Sequence, residues 1–374
     1  MKDILKAQKF IPLARPDIRE EDIVLVNEVL RSGMLIQNEY VLKLEKAFAD
    51  LHKIKHAIAA SNGTATLHLA LKALGIESGD EVIVPAFSYV ATANAVELVG
   101  ATPVFVDIDG QTFNIDTNLI EQKITNRTKA IIPVHEFGLA CDIEKICSIA
   151  AQHNLLVIED AACALGAKQK NKPVGTFGII GSFSLHPRKS ITSGEGGMLL
   201  TNDDKLATKL RQLRNHGIQM ENGQMNFVEA GFNYRMTDFQ AALAYSQFQR
   251  LNSILEYKNE LAGIYYSAIK NNKISLPTIP SNRNHTWQTF HLVLNDSLDQ
   301  KNTIAFLKEK GIGTNYGAQC IPAQTYYLNK YKLDAEKIFP NAYKAYKQGL
   351  AIPIYERMTK DDIIFVAQII NQLC

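Results

Sequence analysis

What this 374-residue chain lacks narrows its function before any motif is considered. It has five cysteines, Cys141, Cys147, Cys163, Cys320 and Cys374, and no CxxC pair. The odd count argues against a disulfide framework, and the spacing argues against a structural zinc site. Both point to a reduced, cytoplasmic protein. Excess charge of one sign is missing too: 40 basic and 38 acidic residues leave a net +2. That balance provides no field for gripping nucleic acid and no polybasic patch for a membrane. No apolar run approaches the ~18 residues of a membrane span. The opening MKDILKAQKF carries charge where a signal peptide needs an apolar stretch. There is no internal repeat and no low-complexity tract. Apolar residues make up 46% and charged residues 21%, an ordinary soluble globular composition. The length suits about two or three domains.

What is present alternates between strands and helices. Residues 1–15 read as an arm. Pro16 and Asp17 introduce a helical segment stopped by Gly33, and residues 39–52 place Val41, Leu44, Phe48 and Leu51 at helical spacing. Residues 56–60 form a short apolar strand, 61–64 a turn, and 65–74 a helix closed by Gly75. Strand, glycine-containing turn and helix N-terminus together make an anion site, because free N–H groups and the helix dipole point at the turn. The same pattern also describes a plain helix capped by Ser61 or Thr64. Val82 to Val84 and Val104 to Val106 are strand cores, with a helix over 89–99 between them. Tyr89 lies just past a strand end, where open α/β sheets bind ligands. An aromatic there either stacks on a planar ring or belongs to the core rim. After a further strand and loop (TKAIIPVHEFG) and a helix comes LLVIEDAACALGA. Its apolar run predicts a parallel strand buried on both faces, with Asp160 at the carboxyl end. A carboxylate there is costly unless paired. A pyridinium nitrogen would suit it, and so would the N-terminus of a helix over AACAL.

Residues 178–203, GIIGSFSLHPRKSITSGEGGMLLTND, hold two short apolar runs around a loop rich in Ser, Thr and Gly, with Lys189 in its middle. Such a lysine is either solvated in a structural loop or holds pyridoxal phosphate (PLP) as a Schiff base. Next come a basic helix ending at Gly217 and a helix from Asp238, introduced by GFNYR. Asn233 and Arg235 in that lead-in are either turn residues or reach a phosphate across a subunit interface. From about residue 256 the texture changes, with Pro277 and Pro280 as breakers, a strand over 286–294, a helix stopped at Gly311 and a C-terminal amphipathic helix. The expected organisation is an arm (1–15), a large α/β domain with a mostly parallel sheet (16–255) and a smaller α+β domain (256–374).

Together these stretches resemble the DegT/DnrJ/StrS family of nucleotide-sugar aminotransferases, PLP-dependent enzymes of the aspartate aminotransferase fold (fold type I). The resemblance covers nearly the whole chain. Its matching segments are SNGTATL (61–67), PAFSYVATANAV (85–96), VIEDAACALGA (157–167), SFSLHPRKSITSGEGG (182–197), RNHG (214–217) and GFNYRMTDFQAAL (231–243). It implies that Lys189 forms the Schiff base and shuttles protons, Asp160 pairs with the pyridine nitrogen and Tyr89 stacks on the ring. Gly63, Thr64 and Ser184 would bind the cofactor phosphate. Cys163 would lie near the ring hydroxyl, where members often carry Gln or His. Asn233 would reach the phosphate of the neighbouring subunit, which makes a homodimer. Arg188 and Arg235 are candidate contacts for a substrate diphosphate, and Tyr316 is a further substrate candidate. No metal is implied. The activity implied is ping-pong transfer of an amino group, from glutamate by resemblance, to a nucleotide-linked keto sugar. The texture of GFNYRMTDFQAAL leans toward a 4-keto-6-deoxyhexose over a 3-keto sugar. Two rivals remain. One is a PLP-dependent sugar dehydratase, in which histidine replaces the lysine. The other is a non-catalytic PLP-binding regulator, for which the chain has no output module. Departures from the family are Asn38, where many members have glycine, and TNYGAQCIP, which replaces a histidine-containing loop.

Overall fold

The computed structural model describes residues 10–374. The short apolar runs form a seven-stranded sheet of β1 (His56–Ala60), β2 (Glu81–Pro85), β3 (Thr102–Val106), β4 (Thr128–Ile131), β5 (Leu156–Asp160), β6 (Ile180–Ser184) and β7 (Gly197–Thr201). Their order in space is β1-β7-β6-β5-β4-β2-β3. From β3 to β6 every neighbour is parallel, while β7 runs antiparallel to both β6 and β1. A parallel sheet needs cover on both faces, and its strands are accordingly apolar on both. On one face α3 (Gly63–Ala73), α4 (Ala91–Leu98) and α6 (Asp204–Arg214) pack Leu69, Val96 and Leu210 onto Ile58, Val84 and Ile158. On the other, α2 (Glu39–His52) and α7 (Asp238–Phe248) bring Leu44, Phe48 and Ala241 against Ala59, Met198 and Leu200. There too α5 (Ile143–Gln152) sets Ile143 and Ile146 on Ile83, Ile131 and Val157.

α2 and β1 have the bounds that apolar spacing predicts. α3 starts two residues earlier than expected. The Asn62 carboxamide accepts the Ala65 N–H at 2.8 Å, so Asn62 is the cap rather than Ser61 or Thr64. The helix expected from Asp238 is α7, which ends at Phe248, and a separate helix α8 (Leu251–Ala268) follows. A hairpin with no sequence-based expectation, β8 (Ile218–Glu221) and β9 (Gln224–Phe227), projects Met220, Met225 and Phe227 into solvent.

The C-terminal part has its own antiparallel sheet of β10 (Ile274–Ser275), β11 (Phe290–Leu294) and β12 (Gly349–Ile352). The strand expected over 286–294 begins only at Phe290, because Trp287 takes a left-handed φ of 53° and stacks on His285 at 3.9 Å. α8, α9 (Gln300–Glu309) and the C-terminal helix (Lys360–Ile370) cover this sheet around Tyr265, Leu292, Leu307 and Val366. Of the expected arm, residues 1–9 lie outside the described residues. Ile11 is buried in this second core and exchanges backbone hydrogen bonds of 2.8 Å with Gly311 and Gly313. Other segments of this part reach back over the large sheet. Residues Gln319–Cys320 pair with Phe87–Ser88. The Asp107 carboxylate accepts the amides of Asn341 (3.1 Å) and Ala342 (2.9 Å) in the first turn of the helix Pro340–Lys347, where its charge complements the dipole. Among the described residues no helix is long and apolar enough to cross a membrane.

α1 (Glu20–Ser32) is tied down by charge. Its Asp22 is fully buried, and Arg250 grips both carboxylate oxygens at 2.8 Å while donating to the Asp17 carbonyl at 2.7 Å. Burial pushes the Asp22 carboxyl up, but the hydrogen bonds from Arg250, Ser246 and the Arg19 amide hold it below the usual carboxylate range. Arg250→Ala leaves that carboxylate unpaired and should cost about 3–5 kcal/mol. The expected readout is a lower urea midpoint; an unchanged midpoint refutes the account. A carboxyl whose folded pKa is depressed stabilises the fold above its ordinary value of 3.8 and loses that effect as the pH falls. The gap between the two proteins should therefore narrow in acid.

Candidate active site

The carboxyl ends of β1, β2, β5 and β6 open onto one cavity of about 670 Å³, at the edge where parallel sheets present ligand sites. The first wall comes from β1 and α3. Asn62 takes the Ala65 amide, and the preceding amides of the first helical turn have no partner within the helix. Gly63 sits against Ser184, the last residue of β6: a Cβ added at Gly63 would lie 2.8 Å from the Ser184 Cβ. Behind it, Gly197 of β7 presses on the Asn62 carbonyl, where a Cβ would come within 2.7 Å. Two bare glycines therefore let a serine hydroxyl and a helix N-terminus share one small volume, a cradle for an anion. Thr64 lines the same cavity.

Asp160 ends β5 and is 4% exposed. Its carboxylate accepts the Thr92 hydroxyl of α4 at 2.8 Å and the Ala162 amide at 3.2 Å. Burial pushes its pKa up, while these two donors and the charge of Lys189 pull it down. The segment after it forms turns, so Asp160 caps no helix. The residue before it, Glu159, is fully buried and points its carboxylate elsewhere. It accepts the amides of Gly175, Phe177 and Gly178 at 2.6–2.7 Å and contacts His135 Nε2 at 3.0 Å. Those bonds tie the loop leading into β6 to β5.

Lys189 lies in the connection from β6 to β7. That connection is rigid for stated reasons: Leu185 pairs with Gly196 and Ser193, and Gln247 of α7 brackets Thr192 from both sides of its peptide. The Lys189 Nζ donates to the Cys163 thiol at 3.0 Å. Burial pushes the Cys163 thiol up, and the neighbouring Lys189 opposes this. Tyr89 stands at the rim of the cavity, 66% exposed.

Gly63, Thr64, Tyr89, Asp160, Cys163, Ser184, Arg188 and Lys189 thus line one cavity. Arg188 presents its backbone carbonyl to Gln288 at 3.0 Å, and its Nε is buried without a partner. Three expected residues lie outside the cavity lining of this single chain. Asn233 bridges to Asn215, the Arg235 guanidinium donates to the Asn215 side chain at 2.5 Å, and Tyr316 packs on Tyr346. One lining residue carries no expectation from sequence: Glu136, just beyond β4 and 4% exposed. Burial first, and the Asp160 charge second, push its carboxyl up to about 8 against the pull of Lys189, Ser88 and the Phe137 amide. Its sequence signal is weaker than that of Asp160, because Pro133 and His135 separate Glu136 from the apolar run of β4. No cluster of metal-ligating side chains occurs among the described residues.

The donor set fits PLP. The anion cradle suits its phosphate, the hydrogen-bonded Asp160 carboxylate suits a protonated ring nitrogen, and a primary amine, that of Lys189, lines the same cavity. The DegT/DnrJ/EryC1/StrS aminotransferase family matches residues 16–371. The chain is 36% identical to a GDP-perosamine synthase of Escherichia coli O157:H7, covering 97% of this chain and 98% of that one. It is 37% identical to the spore coat polysaccharide biosynthesis protein SpsC of Bacillus subtilis, covering 99% and 98%. Among solved structures, the putative sugar aminotransferase Spr1654 of Streptococcus pneumoniae in its PMP form superposes with a TM-score of 0.92 at 26% identity, covering 97% of each chain.

The cradle generates a direct test. Gly63→Ala forces a methyl group against Ser184 and should weaken PLP about tenfold, roughly 1.4 kcal/mol, in an absorbance titration with unchanged far-UV circular dichroism. Wild-type affinity in that variant would place the phosphate elsewhere.

Proposed function

The chain belongs to the DegT/DnrJ/EryC1/StrS aminotransferase family, and on that premise we propose that it moves an amino group from L-glutamate to a nucleotide-linked keto sugar, a 4-keto-6-deoxyhexose, by a ping-pong mechanism. One observation carries this reading. A primary amine, a buried hydrogen-bonded carboxylate and a helix N-terminus meet in one cavity at the sheet edge. PLP is the cofactor, and when bound it supplies an electron sink that stabilises charge at the carbon bearing the amino group.

Lys189 would hold it through Nζ. Gly63, Thr64 and Ser184 would hold its phosphate, Tyr89 would cover its ring, and Cys163 would stand beside the ring hydroxyl. Asp160, which accepts the Thr92 hydroxyl and the Ala162 amide, would pair with the ring nitrogen and favour its protonated form. The Lys189 Nζ would act as the base that takes the proton from the donor Cα and as the acid that delivers a proton to the cofactor carbon carrying the amino group. Donor and acceptor use the one cavity in turn, which is the structural basis for ping-pong order.

A nucleotide sugar as acceptor is supported by the GDP-perosamine synthase relatives. The choice of a 4-keto over a 3-keto sugar rests on the GFNYRMTDFQAAL segment. Lys189 itself speaks against the dehydratase reading. Arg188, Arg235 and Tyr316 are assigned to the substrate, the last two from positions beside the cavity. The working unit is a homodimer in which Asn233 serves the neighbouring subunit's phosphate site. Exposed Met34, Ile36, Met220, Met225 and Phe227 support a large buried contact there. The division into an arm, a large domain to residue 255 and a small domain from 256 is supported by the separate second core. The five free thiols suit the reducing cytoplasm.

The test begins with the pyridoxamine form of the purified protein. Adding keto sugar nucleotides one at a time should restore the aldehyde absorption band with the true acceptor and with no 3-keto isomer. Lys189→Ala should lower turnover by about 10²–10⁴-fold. A protein that stays colourless with added PLP, or a variant that turns over at the wild-type rate, ends the proposal.

A further inference from the structure

The two carboxyls in the cavity wall are built differently. Asp160 has a donor on each oxygen, the Thr92 hydroxyl on Oδ2 and the Ala162 amide on Oδ1. That is the setting of a carboxylate. Glu136 stands on the neighbouring strand's extension, where Val134 pairs with Asp160 and the His135 amide donates to the Asp160 carbonyl at 3.0 Å. Its Oε2 is closed to solvent and has no hydrogen-bond partner among the described residues. A bare ionised oxygen in such a place costs far more than a neutral one. The groups that face Glu136 are few. Asp160 approaches from β5, Cys163 from the turn beyond it, and Lys189 from the β6–β7 connection. Ser88 comes from the edge pair at Phe87–Ser88, and the Phe137 amide from its own segment. Lys189 is the one cation in that set, and its Nζ is already directed at Cys163. Two carboxyls beside one ammonium group, one with a donor on each oxygen and the other with an oxygen left bare, settle into a single charge and a single proton.

We infer that Glu136 is a positioning residue: it holds the proton of this acid pair, leaves the negative charge of the wall on Asp160, and offers its own hydroxyl as a hydrogen-bond donor to an oxygen of the bound ligand. The high Glu136 value of about 8 agrees with the geometry and keeps the acid protonated through neutral pH. An ionised Glu136 would draw the Lys189 ammonium and compete with Asp160 for the positive charge in the cavity. A neutral one leaves that pairing intact and adds a donor of its own to the wall. The inference rests on reading Asp160 as the ionised partner of the cofactor ring, and adds the residue that keeps that charge in one place.

The test uses the PLP-loaded enzyme and three readouts. At neutral pH the infrared spectrum should contain a protonated-carboxyl band that titrates away near pH 8 and is absent in Glu136→Gln. The pH midpoint of the bound cofactor's visible absorbance should be unchanged in Glu136→Gln, which keeps shape, neutrality and a donor. Glu136→Leu removes the donor. If the acceptor oxygen belongs to the cofactor, the leucine variant binds PLP about tenfold more weakly. If it belongs to the sugar, PLP affinity and spectrum stay the same while the KM for the sugar rises by about tenfold. In either case the glutamine variant recovers most of the loss. Absence of the infrared band overturns the inference. So does a midpoint that drops by about a unit in Glu136→Gln, the mark of a lost negative charge, or a leucine variant that matches wild type throughout. The infrared and absorbance readouts need no turnover, so they stand even if no keto sugar is accepted. Should the leucine variant fail to fold, the glutamine variant decides alone.

Discussion

Asp160 is a carboxyl group buried in the wall of the cavity, and much of the sheet edge is arranged to give it donors. A buried carboxylate is tolerated only with donors in place. Thr92 supplies one from the first turn of α4 and Ala162 supplies another from the turn that follows β5. The preceding residue shows the same rule on the opposite side of the strand. Successive side chains of a strand point to opposite faces, so Glu159 turns away from the cavity and is satisfied by three loop amides and His135. Two adjacent carboxylates thus do separate work, one facing the ligand and one tying the entry to β6 onto β5.

The antiparallel strand β7 is what brings the remaining groups together. Because it doubles back beside β6, the connection carrying Lys189 begins and ends at the carboxyl edge. Because it also pairs with β1, the N-terminus of α3 falls beside Ser184. A fully parallel arrangement would send the chain after β6 to the opposite edge before its next strand. Segments of the C-terminal part close the far side, through the pairing of Gln319–Cys320 with Phe87–Ser88 and the helix start capped by Asp107.

Local signals in the chain matched local structure. The spacing of Val41, Leu44, Phe48 and Leu51 was enough to delimit α2, and the run at 56–60 was enough to delimit β1. The reading was less accurate where a local ring contact overrode the pattern: the strand expected from residue 286 begins only at Phe290, because Trp287 stacks on His285. Asn62 rather than its neighbours caps α3, a choice among three polar residues that pattern alone does not rank. Glu136 was passed over because its strand ended in VHEFG, which reads as an ordinary exit loop until the burial of that carboxyl is known.

The chain by itself determined most of its strands and helices, the place of Asp160 at a strand end and of Lys189 in the loop after β6, and the strand–turn–helix unit around Asn62. These follow from residues within a few positions of one another, where periodicity and capping operate. Only the tertiary structure decided that β1 lies beside β7, that Gly63 meets Ser184, that Lys189 points at Cys163, and that Glu136 shares a wall with Asp160 and leaves its Oε2 without a partner among the described residues. Each of those is a contact between segments far apart in the chain, and their closeness is set by how the sheet packs rather than by any stretch that could be read alone.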